Sequence, residues 1–156
     1  MPTQAPRFAI EEILFHERDV VLRLPFRFGA ATVTSCPQVY VRARIRLPDG
    51  STSEGCAAEM MIPKWFDKDP GLSNEDNFGQ LRRALQLARA AYASDRQART
   101  AWRHFADRYQ ALLDAGRAAG LNPLVTSYGP ALLDRALLDA LCLHTSCSFA
   151  QAMSAN

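Results

Sequence analysis

Residues 39–47 alternate: Val39, Val41, Ala43, Ile45 and Leu47 are apolar, while Tyr40, Arg42, Arg44 and Arg46 stand between them. A period of two over that length predicts a strand with one dry face and one wet face. Pro48-Asp49-Gly50 predicts a turn, because proline presets φ and glycine accepts a positive one. Residues 51–59 are then the returning arm of an antiparallel hairpin. That arm ends in the small residues Gly55, Cys56, Ala57 and Ala58, which let another backbone or a ligand come close. It leads into Met60-Met61-Ile62-Pro63-Lys64-Trp65-Phe66, the densest apolar loop of the chain. A run of adjacent apolar residues after a strand cannot all face one core, so part of this loop is expected to meet a partner or a substrate.

Upstream, residues 1–7 carry Pro2 and Pro6 and are expected to be frayed. Residues 8–16 read as a strand with Phe8, Ile10 and Leu14 on one side, and residues 20–24 continue it in extended form. The Pro25 to Gly29 stretch is expected to break the strand, and residues 30–37 to form a loop with a movable tip. Downstream the period changes. Ser73 is expected to cap a helix whose stripe is Phe78, Leu81, Leu85, Ala88 and Tyr92. Ser94-Asp95 is expected to recap the chain for a second helix through Ala98, Trp102, Phe105, Tyr109, Leu112 and Gly116 to a stop at Gly120. A third is expected to open at Pro130 and to bury Leu133, Leu137, Ala140 and Leu141. Ser148 is expected to cap a last short turn. Strands first and helices afterwards predict an α+β domain: a three-stranded antiparallel meander followed by a bundle of three to four helices.

Composition narrows the function classes. At 156 residues the chain makes one ordinary domain and is too short for a (β/α)₈ barrel, which needs roughly 250 residues. Charged residues at 22% and apolar ones at 48% are in the globular range. A net charge of +2 gives no argument for nucleic acid, even with Arg42, Arg44 and Arg46 on one face. That face is expected to be a solvated strand surface or one covered by acidic helices. No run of 18 apolar residues is present to span a membrane. The start at Met1-Pro2-Thr3-Gln4 lacks the segments of a secretory signal, which sets the expectation of a cytoplasmic protein.

Catalytic patterns are sparse. There is no G-x-S-x-G elbow, phosphate loop, G-x-G-x-x-G or H-E-x-x-H. His16, His104 and His144 are scattered, with His104 expected at a helix surface or boundary. Cys36, Cys56, Cys142 and Cys147 are irregularly spaced and read as free thiols. Cys142, His144 and Cys147 fit no zinc pattern, and Asp134 and Asp139 are five apart, too poorly aligned for a metal pair. No catalytic or metal-ligating residue is assigned. Glu59, at the entrance to the apolar loop, either touches a ligand or pairs with an arginine.

Three pieces in order carry a resemblance: Val39-Tyr40-Val41-Arg42-Ala43-Arg44-Ile45; then Gly50 through Glu54-Gly55 and Ala57-Ala58-Glu59; and Gly129-Pro130-Ala131-Leu132-Leu133-Asp134-Arg135-Ala136-Leu137-Leu138-Asp139-Ala140-Leu141. From about Phe8 onward the chain resembles the N-terminal capping domain of the enolase superfamily, in its mandelate racemase and muconate-lactonizing branch. The resemblance implies a capping α+β domain over residues 1–128 and, over residues 129–156, a helix leading toward a modified barrel that these 156 residues do not include.

In that family the barrel supplies the magnesium ligands and bases for proton abstraction next to a carboxylate, in racemases, cycloisomerases and dehydratases. The cap supplies two loops that close over the substrate. By resemblance the loops are residues 25–37 and 57–66, and the residues expected to touch a small carboxylate substrate are Phe26, Phe28, Glu59, Met60, Lys64 and Trp65. Magnesium is then a cofactor of the complete enzyme and not of this chain. The implied partner is a barrel in cis or in trans, and apolar surface meant for it would also allow two copies of the chain to pair. The competing expectation is a stand-alone α+β binding module that uses the hairpin loop and the arginine face.

Overall fold

The computed structural model describes residues 5–29 and 31–154; residues 1–4 of the expected frayed start, and Ala30 of the expected loop, lie outside the described residues. The elements are β1 (Ala9–Phe28), β2 (Ala31–Arg46), β3 (Thr52–Met60), α1 (Asn74–Tyr92), α2 (Ala101–Ala106), α3 (Tyr109–Ala118), α4 (Pro123–His144) and α5 (Phe149–Ser154). The strands form an antiparallel meander in the order β1-β2-β3, so the chain adopts the expected α+β architecture. The alternation along β2 sets the layering: Val39, Val41, Ala43 and Ile45 are buried, while Arg42 and Arg46 point out to solvent. The turn after β2 forms where expected, with Gly50 at φ +86° and its N–H donating to the Leu47 carbonyl at 3.0 Å.

Helix α4 lies across β2 and β3, and α1 packs against α4. Glycine sets how closely these layers approach. A Cβ on Gly55 would lie 2.1 Å from the Ala140 nitrogen and 2.3 Å from the Ala136 oxygen, so the backbone that comes close to the small-residue arm is that of α4. The outer edge of β3 is also closed by this helix. The Cys56 N–H donates to the Asp139 carboxylate at 2.8 Å, and the Arg135 guanidinium donates to the Ala58 carbonyl at 2.5 Å.

Helix α1 begins as read from the sequence. Ser73 caps it, its hydroxyl accepting from the Asp76 N–H while the Asp76 carboxylate accepts from the Ser73 N–H, a reciprocal arrangement that satisfies two otherwise unpaired donors. Gly120, at φ +75°, ends the helical stretch before α4, and Ser148 caps α5 through the Gln151 N–H.

Three expectations are corrected. First, residues 25–37 are not a loop. β1 runs through Pro25 to Phe28, and β2 begins at Ala31 and continues through Pro37. The register slips between Val21, opposite Ser35, and Phe26, opposite Val33. This bulge takes up Pro25, which has no N–H to give to the ladder. Pro37 keeps its place because its carbonyl accepts from the Met61 N–H at 2.8 Å.

Second, the helix expected from Ala98 to Gly120 is two helices. Arg99 is drawn into an antiparallel bridge, with Phe8 and Arg99 exchanging two backbone bonds of 2.9 Å. Thr100, not Asp95, is the cap of α2. The break between α2 and α3 falls where Arg108 turns inward, its guanidinium donating to the carbonyls of Ala91 at 2.9 Å and His104 at 3.1 Å. His104 is buried, not superficial: it stacks on Phe8 with ring centroids 4.7 Å apart, and its Nε2 lies 2.8 Å from the Phe8 carbonyl oxygen.

Third, α4 opens at Pro123, not Pro130. The Asn122 side chain accepts from the Val125 N–H at 2.9 Å, and an asparagine cap followed by proline is a stronger start than an interior proline. Pro130 lies inside α4, and the helix runs unbroken across residues 128 and 129.

Candidate functional site: an aromatic tip shared by two segments

The β1–β2 hairpin extends past the helical layer and turns at Gly29, whose φ is +50°. Phe26 and Phe28 are two residues apart on one strand, so they share a face; their ring centroids are 5.4 Å apart. Trp65, from the segment after β3, meets Phe28 edge-on at 5.2 Å. Such tilted and edge-to-face contacts favour aromatic pairs beyond the area they bury. The cluster is not sealed, with Phe26 45% and Trp65 52% exposed. Val21 and Leu24 on the same arm are also exposed.

The segment carrying Trp65 is held from behind. Met61 is fully buried, and Phe66 packs edge-on against Tyr128 at 5.1 Å. Lys64 adopts a left-handed φ of +62°, a costly conformation for a residue with a side chain. Its N–H donates to the buried Asn77 side chain at 2.9 Å, and its ammonium donates to the carbonyls of Asp69, at 2.8 Å, and Leu72. The turn therefore aims Trp65 outward while Lys64 is spent on its own loop.

The six residues singled out by sequence do not form one constellation. Phe26, Phe28 and Trp65 come together. Glu59 pairs with Arg135 of α4 at 2.9 Å, and Met60 is half-buried against the core. The arginine face is neutralised by neighbouring strands and not by helices: Arg44 meets Glu54 at 2.7 Å, and Arg46 meets Glu11 at 2.5 Å. A cleft of about 480 Å³ lies away from the tip, between Ile10 to Ile13 of β1 and Gln86, Arg89 and Ala90 of α1 with its C-cap Ala93. Among the described residues no three His, Cys, Asp or Glu side chains converge as a metal site. No helix among them is long and apolar enough to cross a membrane.

Other chemical features escaped sequence reasoning because they depend on contacts between distant elements. The Tyr92 hydroxyl donates to Asp134 at 2.8 Å across α1 and α4. Burial outweighs that bond and pushes the Asp134 carboxyl up to about 6. Asp95 goes the other way, drawn down to about 2 by its hydrogen bond with Arg99. Burial also lowers the pKa of His104 and raises that of Tyr128. An Asp three places from the buried Leu137 was the only sequence hint of the Tyr92 pairing.

No protein-family model matches the sequence, and no curated protein matches it significantly. Solved structures resemble it. One is an enolase from Bradyrhizobium complexed with magnesium and mandelic acid: TM-score 0.53, 17% identity, covering 90% of this chain and 33% of that one. Another is a mandelate racemase/muconate lactonizing protein from Herpetosiphon aurantiacus: TM-score 0.45, 19% identity, covering 93% of this chain and 32% of that one. The chain thus spans about a third of the length of the structures it matches. The first of these shows the same fold, an antiparallel meander followed by helices, as the sequence led us to expect.

Proposed function

We propose that this chain is the substrate-capping and selectivity domain of an enolase-superfamily enzyme. The reaction is magnesium-dependent proton abstraction alpha to a carboxylate, of racemase, cycloisomerase or dehydratase type, carried by a barrel in cis or in trans. Residues 129–156 lead toward that barrel. One observation carries the reading: Phe26 and Phe28 of the hairpin meet Trp65 of the following segment in one half-exposed apolar tip. Such a tip, closing over a polar site, would exclude water and discriminate among substrate side chains. The described residues do not fit a magnesium site, so no chemical step is assigned to this chain.

The rival is a stand-alone binding module, in which the arginine face holds an acidic ligand; the pairing of Arg44 and Arg46 with Glu54 and Glu11 weighs against it. Calorimetric titration of the purified chain with mandelate, in the presence and absence of magnesium, separates the two. The capping reading expects no heat of binding and no turnover from the chain alone. When the cognate barrel is supplied, Trp65→Ala is expected to alter kcat/KM unequally among carboxylates of different side-chain size. Saturable binding of mandelate to the isolated chain, abolished by Arg42→Ala, would replace this reading with the rival.

A further inference from the structure

The end of α4 carries two cysteines that the proposed function does not use. The helix closes in a paired-bond turn: the Cys147 N–H donates to the Cys142 carbonyl at 3.1 Å, the Ser146 N–H to the Leu143 carbonyl at 3.2 Å, and Ser146 is left-handed at φ +53°. In this motif the first and last residues bring their side chains together over the turn. Here both are cysteines. Cys142 is buried and Cys147 partly exposed. The Thr145 hydroxyl lies 3.0 Å from the Cys147 sulfur and 3.4 Å from the Cys142 carbonyl oxygen, so it holds residue 147 over residue 142. Burial and the adjacent Cys147 thiol push the pKa of Cys142 up.

We infer that Cys142 and Cys147 form a reversible disulfide across the C-terminal turn of α4, a modification site that fixes the joint between α4 and α5. A disulfide needs neighbouring Cα atoms and converging Cβ vectors, and a paired-bond turn whose first and last side chains meet over it favours both. With a peroxide as oxidant the step balances. The Cys147 thiolate attacks one peroxide oxygen and becomes a sulfenic acid, and the hydroxide that leaves takes up a proton as the first water. The Cys142 thiolate then displaces hydroxide from that sulfur; the S–S bond forms and the hydroxide takes up a proton as the second water. Two electrons pass from the two sulfurs to the peroxide. Cys36 is buried, and Cys56 stands on the outer strand β3, so neither competes within the turn.

The test is peroxide treatment of the purified chain in mildly alkaline buffer, alkylation in denaturant, trypsin digestion and mass spectrometry. Arg135 is the last tryptic site, so both cysteines fall in one peptide, residues 136–156. The expected product is that peptide without alkyl groups and lighter by two hydrogens, regaining two alkyl groups after reduction by dithiothreitol. Because the bond is intramolecular, diluting the protein about tenfold leaves its yield unchanged. Cys147→Ser and Cys142→Ser are each expected to lose the product, with Cys147→Ser, at the more exposed position, retaining the helical circular-dichroism signal. Full alkylation of both residues after peroxide, sulfinic acid in place of the disulfide, or a yield that falls with dilution would overturn the inference.

Discussion

Asp134→Asn is expected to stabilise the protein, and to do so only where Asp134 is ionised. Asp134 is partly buried between α1 and α4, and among the described residues its side-chain partner there is the Tyr92 hydroxyl. Burial raises its carboxyl from 3.8 to about 6, and the tyrosine bond offsets only part of that. A carboxyl whose pKa rises on folding binds its proton more tightly in the folded state. Its contribution is therefore most favourable below about 3.8 and is lost as pH climbs through about 6. At ~1.4 kcal/mol per pH unit, the gap between 3.8 and about 6 amounts to about 3 kcal/mol of destabilisation at neutral pH. Asparagine never ionises, and its side-chain oxygen still accepts from Tyr92.

The assay is urea unfolding of both proteins across the range pH 4 to 8. The difference in unfolding free energy is expected to be near zero at pH 4 and to grow to about 2–3 kcal/mol in favour of the variant by pH 7. Asp95 and His104 titrate in both proteins and cancel in the difference. A variant that is less stable at pH 7, or a difference flat across the range, would refute the reasoning, because it would mean that the buried carboxylate is stabilised by its surroundings.

Three further outcomes follow from local geometry. Gly55→Ala places a methyl 2.1 Å from the Ala140 nitrogen and is expected to cost about 3 kcal/mol or more in urea unfolding, because a backbone cannot rotate away as a side chain can. Asn122→Ala removes the cap of α4 and is expected to cost about 1 kcal/mol, with a matching drop in thermal midpoint. A Phe28→Ala and Trp65→Ala double-mutant cycle is expected to give a coupling of about 0.5–1.5 kcal/mol; zero coupling would mean that the two segments do not share a tip in solution.

Much of the architecture was legible because its signals were local. The Pro48-Asp49-Gly50 turn, the alternation along β2 and the Ser73 cap each lie within a few residues, and each forms as read. The hairpin of β1 and β2 was misread for the opposite reason. Pro25, Gly29 and Pro37 are breakers in isolation, but a register slip absorbs Pro25, and Met61, just past β3, gives Pro37 a partner 24 residues away. Phe26, Phe28 and Trp65 were recognisable singly as apolar residues on irregular segments. Their meeting required the hairpin's register and the left-handed turn at Lys64, whose support comes from Asn77 on another element. Pairings such as Tyr92 with Asp134 leave almost no trace in a linear pattern, since each partner obeys only its own helix.

Asp139 and Arg135 have a consequence for what this domain can join. By occupying the outward amide of Cys56 and carbonyl of Ala58, α4 acts as a stopper on that end of the sheet, and a foreign strand arriving there finds its docking groups already taken. Beyond the bridge at Phe8, no strand among the described residues pairs with the outer side of β1. An added strand therefore meets competition at Cys56 and Ala58 that it does not meet among the described residues of β1 beyond Phe8.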